Sequence, residues 1–122
     1  MRKLFTSLLV LLLLSIFNPN QAVAATVVKI TDVTHRLSDG VFINDDLVAK
    51  LKPSGELGSL VFMPSNAVRV WQVDPATISE IVVMSNGYGI SDGSIPEGQQ
   101  IAKEWLAQFI RVSKNEKVSA LT

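Results

Sequence analysis

The chain has 122 residues, of which 48% are hydrophobic, and 11 Lys and Arg balance 11 Asp and Glu for a formal net charge of zero. The charges are interspersed and form no basic block, which argues against nucleic acid or an anionic membrane surface as partner. There is no cysteine and a single histidine, His35, so disulfides, thiol chemistry and a His-rich zinc site are excluded.

Arg2 and Lys3 open the chain, Leu4 to Phe17 is an apolar run, Asn18-Pro19-Asn20 breaks it, and Ala22-Val23-Ala24 is a small-x-small pattern. Together they read as a secretory signal peptide over residues 1–24. The run is too short to cross a bilayer comfortably and no stop-transfer segment follows. The expected working chain is residues 25–122. It is one small domain, secreted or held in the extracytoplasmic cell envelope, without a membrane span once the signal is removed. Arg2 and Lys3 leave with the leader, so nine basic residues face eleven acidic ones, a net charge of about −2 that still marks no charged partner.

Val27 to Val33 is β-branched and predicts a strand. Ser38-Asp39-Gly40 marks a turn in the loop from His35 to Phe42. Asn44 is placed to cap a helix whose first turn holds Asp45 and Asp46, with Leu47, Val48 and Leu51 as its apolar stripe. Pro53-Ser54-Gly55 interrupts, and a short helix from Glu56 to Phe62 ends by Pro64. Val68 to Val73 is the clearest strand. Asp74-Pro75 then caps and opens a helix that stops at Gly87, with Ile78, Ile81 and Val82 buried. Tyr88 to Gly98 is a loop. The last helix spans Glu97 to Lys114. Ile101, Trp105, Phe109 and Val112 recur along it at helical spacing, widened by Ala102, Leu106 and Ile110. Lys117 to Leu121 starts a third strand.

Strands alternating with helices predict an α/β fold, a small parallel three-stranded sheet with about four helices. A sheet covered on both sides is apolar on both. Lys29, Thr31 and Arg69 interrupt that pattern, so one face is expected to be incompletely covered, as in an unfinished barrel or a solvated edge strand.

Asp74, at the carboxyl end of a strand, is the leading candidate for chemistry, as general acid, general base or metal ligand. The plainer role is a helix cap. Asp32 and His35 leave the first strand at the same end. With Asp74 they would form a two-carboxylate, one-imidazole cluster for acid–base work or a divalent ion. The plainer reading of His35 is a surface loop residue. Trp71 and Tyr88 could stack on sugars, although packing against a helix is the ordinary fate of Trp71. No cofactor motif is present; Asn86-Gly87-Tyr88-Gly89 follows a helix and reads as its C-cap, not as a phosphate loop.

Three segments carry a resemblance: Asp46 to Leu57, the Val70-Trp71-Gln72-Val73-Asp74-Pro75-Ala76 strand exit, and Trp105 followed by Val118-Ser119-Ala120-Leu121. They resemble the luminal region of a family of large, uncharacterised bacterial cell-envelope proteins. In that family a strand ending Val-Asp-Pro opens a helix, and a later strand reads Ala-Leu-Pro-Tyr into an Asp-Pro-Asp-like loop. The resemblance implies a (β/α) barrel of the kind used by glycoside hydrolases and polysaccharide deacetylases. It covers nearly all of residues 25–122 but only the first part of the family's domain. Here Thr122 follows Ala120-Leu121, without the Pro-Tyr, so the expectation is a truncated barrel. Three functions are in play: a noncatalytic or truncated barrel-like envelope protein, a hydrolase or deacetylase of envelope polysaccharide using Asp32, His35 and Asp74, and a small interaction module. The expected partners are envelope polysaccharide or another protein chain that completes the sheet.

Overall fold

Two runs that carry β-branched residues, and the short Lys117–Ala120 segment, come together as one sheet. The computed structural model describes residues 25–122; the leader read at residues 1–24 lies outside them. The elements run β1 (Thr26–Ile30), α1 (Asp46–Leu51), α2 (Gly58–Phe62), β2 (Arg69–Val73), α3 (Pro75–Ser85), α4 (Gln99–Ser113) and β3 (Lys117–Ala120). The strands are parallel, in the order β1-β2-β3. Val28 lies level with Trp71 and Val118, and Ile30 level with Val73 and Ala120. The expected α/β fold of three parallel strands and four helices is the one adopted.

The register sorts the side chains by face. Ile30, Trp71 and Val73 join the buried side chains of every helix, including Leu47, Leu51, Val61, Ile81, Met84 and Trp105, in one cluster. The helices thus form a single layer on the side of the sheet that bears Val28, Ile30, Trp71 and Val73. The residues of the other parity face outward: Val27 is 52% exposed, Lys29 and Lys117 are exposed, and Val70, Gln72 and Ser119 are half-buried. Most parallel sheets are covered on both faces; among the described residues this one is covered on one.

Lys29 lies on that face as expected, whereas Arg69 and Thr31 do not mark it. Arg69 lies on the helix side, where its guanidinium sits 4.9 Å over Trp71 and 3.1 Å from Glu116. Thr31 lies past the end of β1, which stops at Ile30 because the Asp32 amide leaves the ladder to donate to Thr77 Oγ1. One boundary, one cap and two burial assignments also differ from expectation. Helix α2 starts at Gly58, which packs so tightly against the end of α1 that a Cβ there would stand 1.7 Å from the Lys52 carbonyl oxygen. Asp45 occupies the N-cap position of α1 without capping it, while Asn44 Oδ1 accepts from the Asp46 amide. On α3, Val82 is exposed and the buried stripe is Thr77, Glu80, Ile81 and Met84. Ile110 on α4 is likewise exposed.

Trp71 is the centre of the packing. It is fully buried, its ring meets Phe109 edge-on at 5.3 Å, and Phe109 stacks on Trp105. A buried indole N–H needs an acceptor, and Glu116 Oε1 provides it at 3.1 Å. Glu116 Oε2 accepts from the Arg69 amide at 2.9 Å. Burial pushes the Glu116 carboxyl up, but the hydrogen bonds from Trp71 and Arg69 prevail and hold it below the usual range. Glu116→Ala leaves the buried Trp71 N–H and the half-buried Arg69 amide without their acceptor, and a hydrogen bond to a charged group is worth about 1.5–3 kcal/mol. Urea denaturation is expected to show a loss of about 2–3 kcal/mol for Glu116→Ala and a smaller loss for Glu116→Gln.

Candidate functional site

The carboxyl ends of β1 and β2 lie side by side and bring Asp32, His35 and Asp74 to one rim of the sheet. Asp32 follows β1, and His35 is placed by its own backbone: its amide donates to Glu80 Oε2 at 2.9 Å and its carbonyl accepts from the Ile43 amide at 2.8 Å. This folds the loop inward, so His35 is 3% exposed and not a surface residue. Its Nε2 stands 2.7 Å from Asp32 Oδ2. Lys50 Nζ, reaching over from α1, donates to Asp32 Oδ1 at 2.7 Å.

These bonds set the charge states. Burial raises the Asp32 carboxyl, but hydrogen bonds from Lys50, His35 and the Val33 amide outweigh it and leave the group below its ordinary value. The same Asp32 bond raises the Lys50 ammonium. The centre is thus an ionised carboxylate between an ammonium and an imidazole. Beneath it, buried Glu80 accepts from the His35 amide and has Arg36 Nε at 3.6 Å.

Asp74 stands beside this group without joining it. Its Oδ1 accepts from the Ala76 amide at 3.0 Å, the N-cap bond expected of Asp before Pro at a helix start. Its Oδ2 accepts from Thr31 Oγ1 at 3.2 Å and Thr77 Oγ1 at 3.4 Å. Thr77 links the Asp74 carboxylate to the Asp32 backbone, since its hydroxyl also accepts from the Asp32 amide. The expected cluster of Asp32, His35 and Asp74 is therefore corrected: Asp32 and His35 touch, and Asp74 is a cap one hydroxyl away. Among the described residues, no group of three or more His, Asp and Glu side chains converges to hold a metal ion. Nor, among them, does a Ser or Thr hydroxyl hydrogen-bond to the His35 ring, as an activated nucleophile would.

Of the two aromatic candidates, Trp71 is corrected, and Tyr88 is tied into the fold. Trp71 is enclosed by α4 and offers no face to a sugar. Tyr88 packs its ring on Phe42 at 4.8 Å, and its hydroxyl donates to Asp45 Oδ1 and accepts from the Gly98 amide. Burial and the neighbouring Asp45 carboxylate push the phenol well above its usual value, so it stays protonated. Asp45 Oδ2 accepts from the Glu97 amide. Tyr88 and Asp45 thereby hold the Glu97 and Gly98 amides that lead into α4.

Lys50, Glu80 and Thr77 were not singled out from sequence. Thr77 and Glu80 had a legible signal: they fall at the spacing of the buried α3 stripe beside Ile81 and Met84. Lys50 had none, because its partner lies 18 positions away across a loop. No protein-family model, no curated protein and no solved structure matches the chain.

The linkage sign for Asp32 is that of a carboxyl whose folded value lies below its unfolded one. Its contribution is complete above the ordinary value of 3.8 and is lost as pH falls through the lower folded value. Urea unfolding is expected to show stability falling below about pH 4, with a shallower fall in Asp32→Asn. Tyr88→Phe removes the bridge between Asp45 and Gly98 and is expected to cost about 1–2 kcal/mol by the same measurement.

Proposed function

We propose that the chain is an exported, noncatalytic domain of the bacterial cell envelope, built like the opening part of a (β/α) barrel. Support for the address comes from Arg2-Lys3, the apolar run and Ala22-Val23-Ala24, the three parts of a secretory signal. Among the described residues, no helix is long and apolar enough to cross a membrane. Support for the build comes from the winding. Strands adjacent in sequence are adjacent in the sheet and the helices line one side, as in a (β/α) barrel, whose helices all lie outside.

The observation that carries the noncatalytic reading is the occupancy of the rim. A barrel enzyme works from side chains at the carboxyl ends of its strands. Here both Asp32 oxygens are taken by Lys50 and His35, and both Asp74 oxygens by Ala76, Thr31 and Thr77. Groups so engaged hold the β1–α1 loop against α1 and α3, and both carboxylates serve the fold. Among the described residues the outer edges of β1 and β3 pair with no strand, which suits extension of the sheet by another protein chain.

Two measurements test this. Expressed in full in a bacterial host, the protein is expected in the extracytoplasmic fraction with Ala25 at its N-terminus; a cytoplasmic product that keeps residues 1–24 refutes the address. Incubated with peptidoglycan or other envelope polysaccharide, the purified protein is expected to release no reducing ends and no acetate above the buffer level. Turnover that disappears in Asp74→Asn or Asp32→Asn overturns the noncatalytic reading in favour of a hydrolase or deacetylase.

A further inference from the structure

Of the chain's asparagines, Asn86 alone stands before a glycine. It closes α3, and both Asn86 and Gly87 are exposed. The Asn86 amide donates to the Val82 and Val83 carbonyls at the end of the helix, while its side chain bonds to no other group among the described residues. Gly87 takes a φ of 98°. A Cβ there would meet only Gln99 Nε2, at 3.8 Å, so the Gly87 nitrogen lies in open space. Two aspartates also precede glycines, and both are tied down. Asp39 Oδ1 accepts from the Val41 amide at 3.0 Å. Asp92 Oδ1 accepts from the Ser94 amide at 2.8 Å and from the Ser94 hydroxyl.

We propose that Asn86 is a self-modification site, where the chain loses ammonia and gains a carboxylate without an enzyme. The Gly87 backbone nitrogen attacks Asn86 Cγ. The new N–Cγ bond closes a five-membered imide, the Cγ–Nδ2 bond breaks, and ammonia departs carrying the proton of the Gly87 amide. Water then opens the ring. Addition at the side-chain carbonyl gives aspartate; addition at the main-chain carbonyl gives isoaspartate, with the backbone rerouted through Cγ. Water is the sole co-reactant and nothing is oxidised or reduced.

The local structure both permits the step and gates it. Glycine presents its nitrogen with no side chain in the way, and the Asn86 side-chain amide has no partner to hold it back. With Asn86 ψ at −1°, the nitrogen is not aligned on Cγ while α3 keeps its last turn. The Gly87 amide is restrained there by a bond to the Met84 carbonyl at 3.2 Å, the long end of the usual range. Helix ends fray and open far more readily than the whole fold, so opening of this turn releases the nucleophile. The product changes the helix in turn. No basic residue lies in the last turn of α3, and a carboxylate at a helix C-terminus meets the negative end of the dipole. The modified chain is therefore more acidic and less stable.

The test holds the purified protein for several weeks in mildly alkaline buffer and maps its peptides by mass spectrometry. The peptide bearing Asn86 is expected to gain one mass unit at least tenfold faster than those bearing Asn44, Asn66 or Asn115. Ammonia is expected in matching amount, and isoaspartyl methyltransferase is expected to label that peptide. Asn86→Gln is expected to abolish the label and the mass gain, with Asn86→Ser as the second variant should Gln disturb the helix end. Urea that unfolds the chain is expected to speed the change, and Asn86→Asp to lower the urea midpoint of the folded protein. An Asn86 peptide of unchanged mass overturns the proposal, as do equal rates at the other asparagines or equal labelling of the Asp39 and Asp92 peptides. A rate indifferent to unfolding refutes the gate, and an Asn86→Asp midpoint at or above the parent's refutes the loss of stability. The noncatalytic envelope reading stands apart from these outcomes and falls only on its own N-terminus and turnover measurements.

Discussion

Among the described residues Trp71 occupies the one strand that has neighbours on both sides, and its environment organises the molecule. The ring is fully buried, so its N–H must find an acceptor inside the protein. Glu116 provides it from the turn just before β3, and the same carboxylate takes the Arg69 amide and lies beside the Arg69 guanidinium. One side chain therefore joins the central strand to the last one. Phe109 and Trp105 carry the contact outward along α4. Without a cysteine in the chain, cohesion rests on burial and on directed polar bonds of this kind.

The opposite end of the sheet follows the same rule with different chemistry. The loop after β1 turns inward and buries an imidazole and, from α3, a carboxylate. Buried charge is tolerated only where it is paired and hydrogen-bonded. Lys50, His35, Asp32, Glu80 and Arg36 meet that demand among themselves, and Thr77 ties them to Asp74. A residue set that looks catalytic in isolation thus accounts for the path of a loop. The Tyr88–Asp45 pair does similar work just before α4, where it fixes the Glu97 and Gly98 amides on the way into the helix.

The layout was legible because its signals are local. β-branched runs gave the strands, Asp74-Pro75 the start of α3, Gly87 its end, and the spacing of Trp105 and Phe109 the buried side of α4. The rim candidates Asp32, His35 and Asp74 do lie near one another, since parallel strands place equivalent ends together. Their chemistry was not legible, because it depends on partners 18 to 45 positions away. Arg69 shows the same limit: strand parity puts it with Trp71, but only the return of Glu116 explains why a charge is tolerated there. The exposed side of Val82 went unread because Thr77 and Glu80, polar by type, hold the buried positions a hydrophobic pattern assigns elsewhere.

The register itself has a kinetic consequence. Thr26 pairs with Arg69, and Val70 with Lys117, so each strand pairing closes a loop of more than forty residues. Sheets joined only by such non-local contacts are slow to assemble, because loop entropy is lost before any pairing compensates for it.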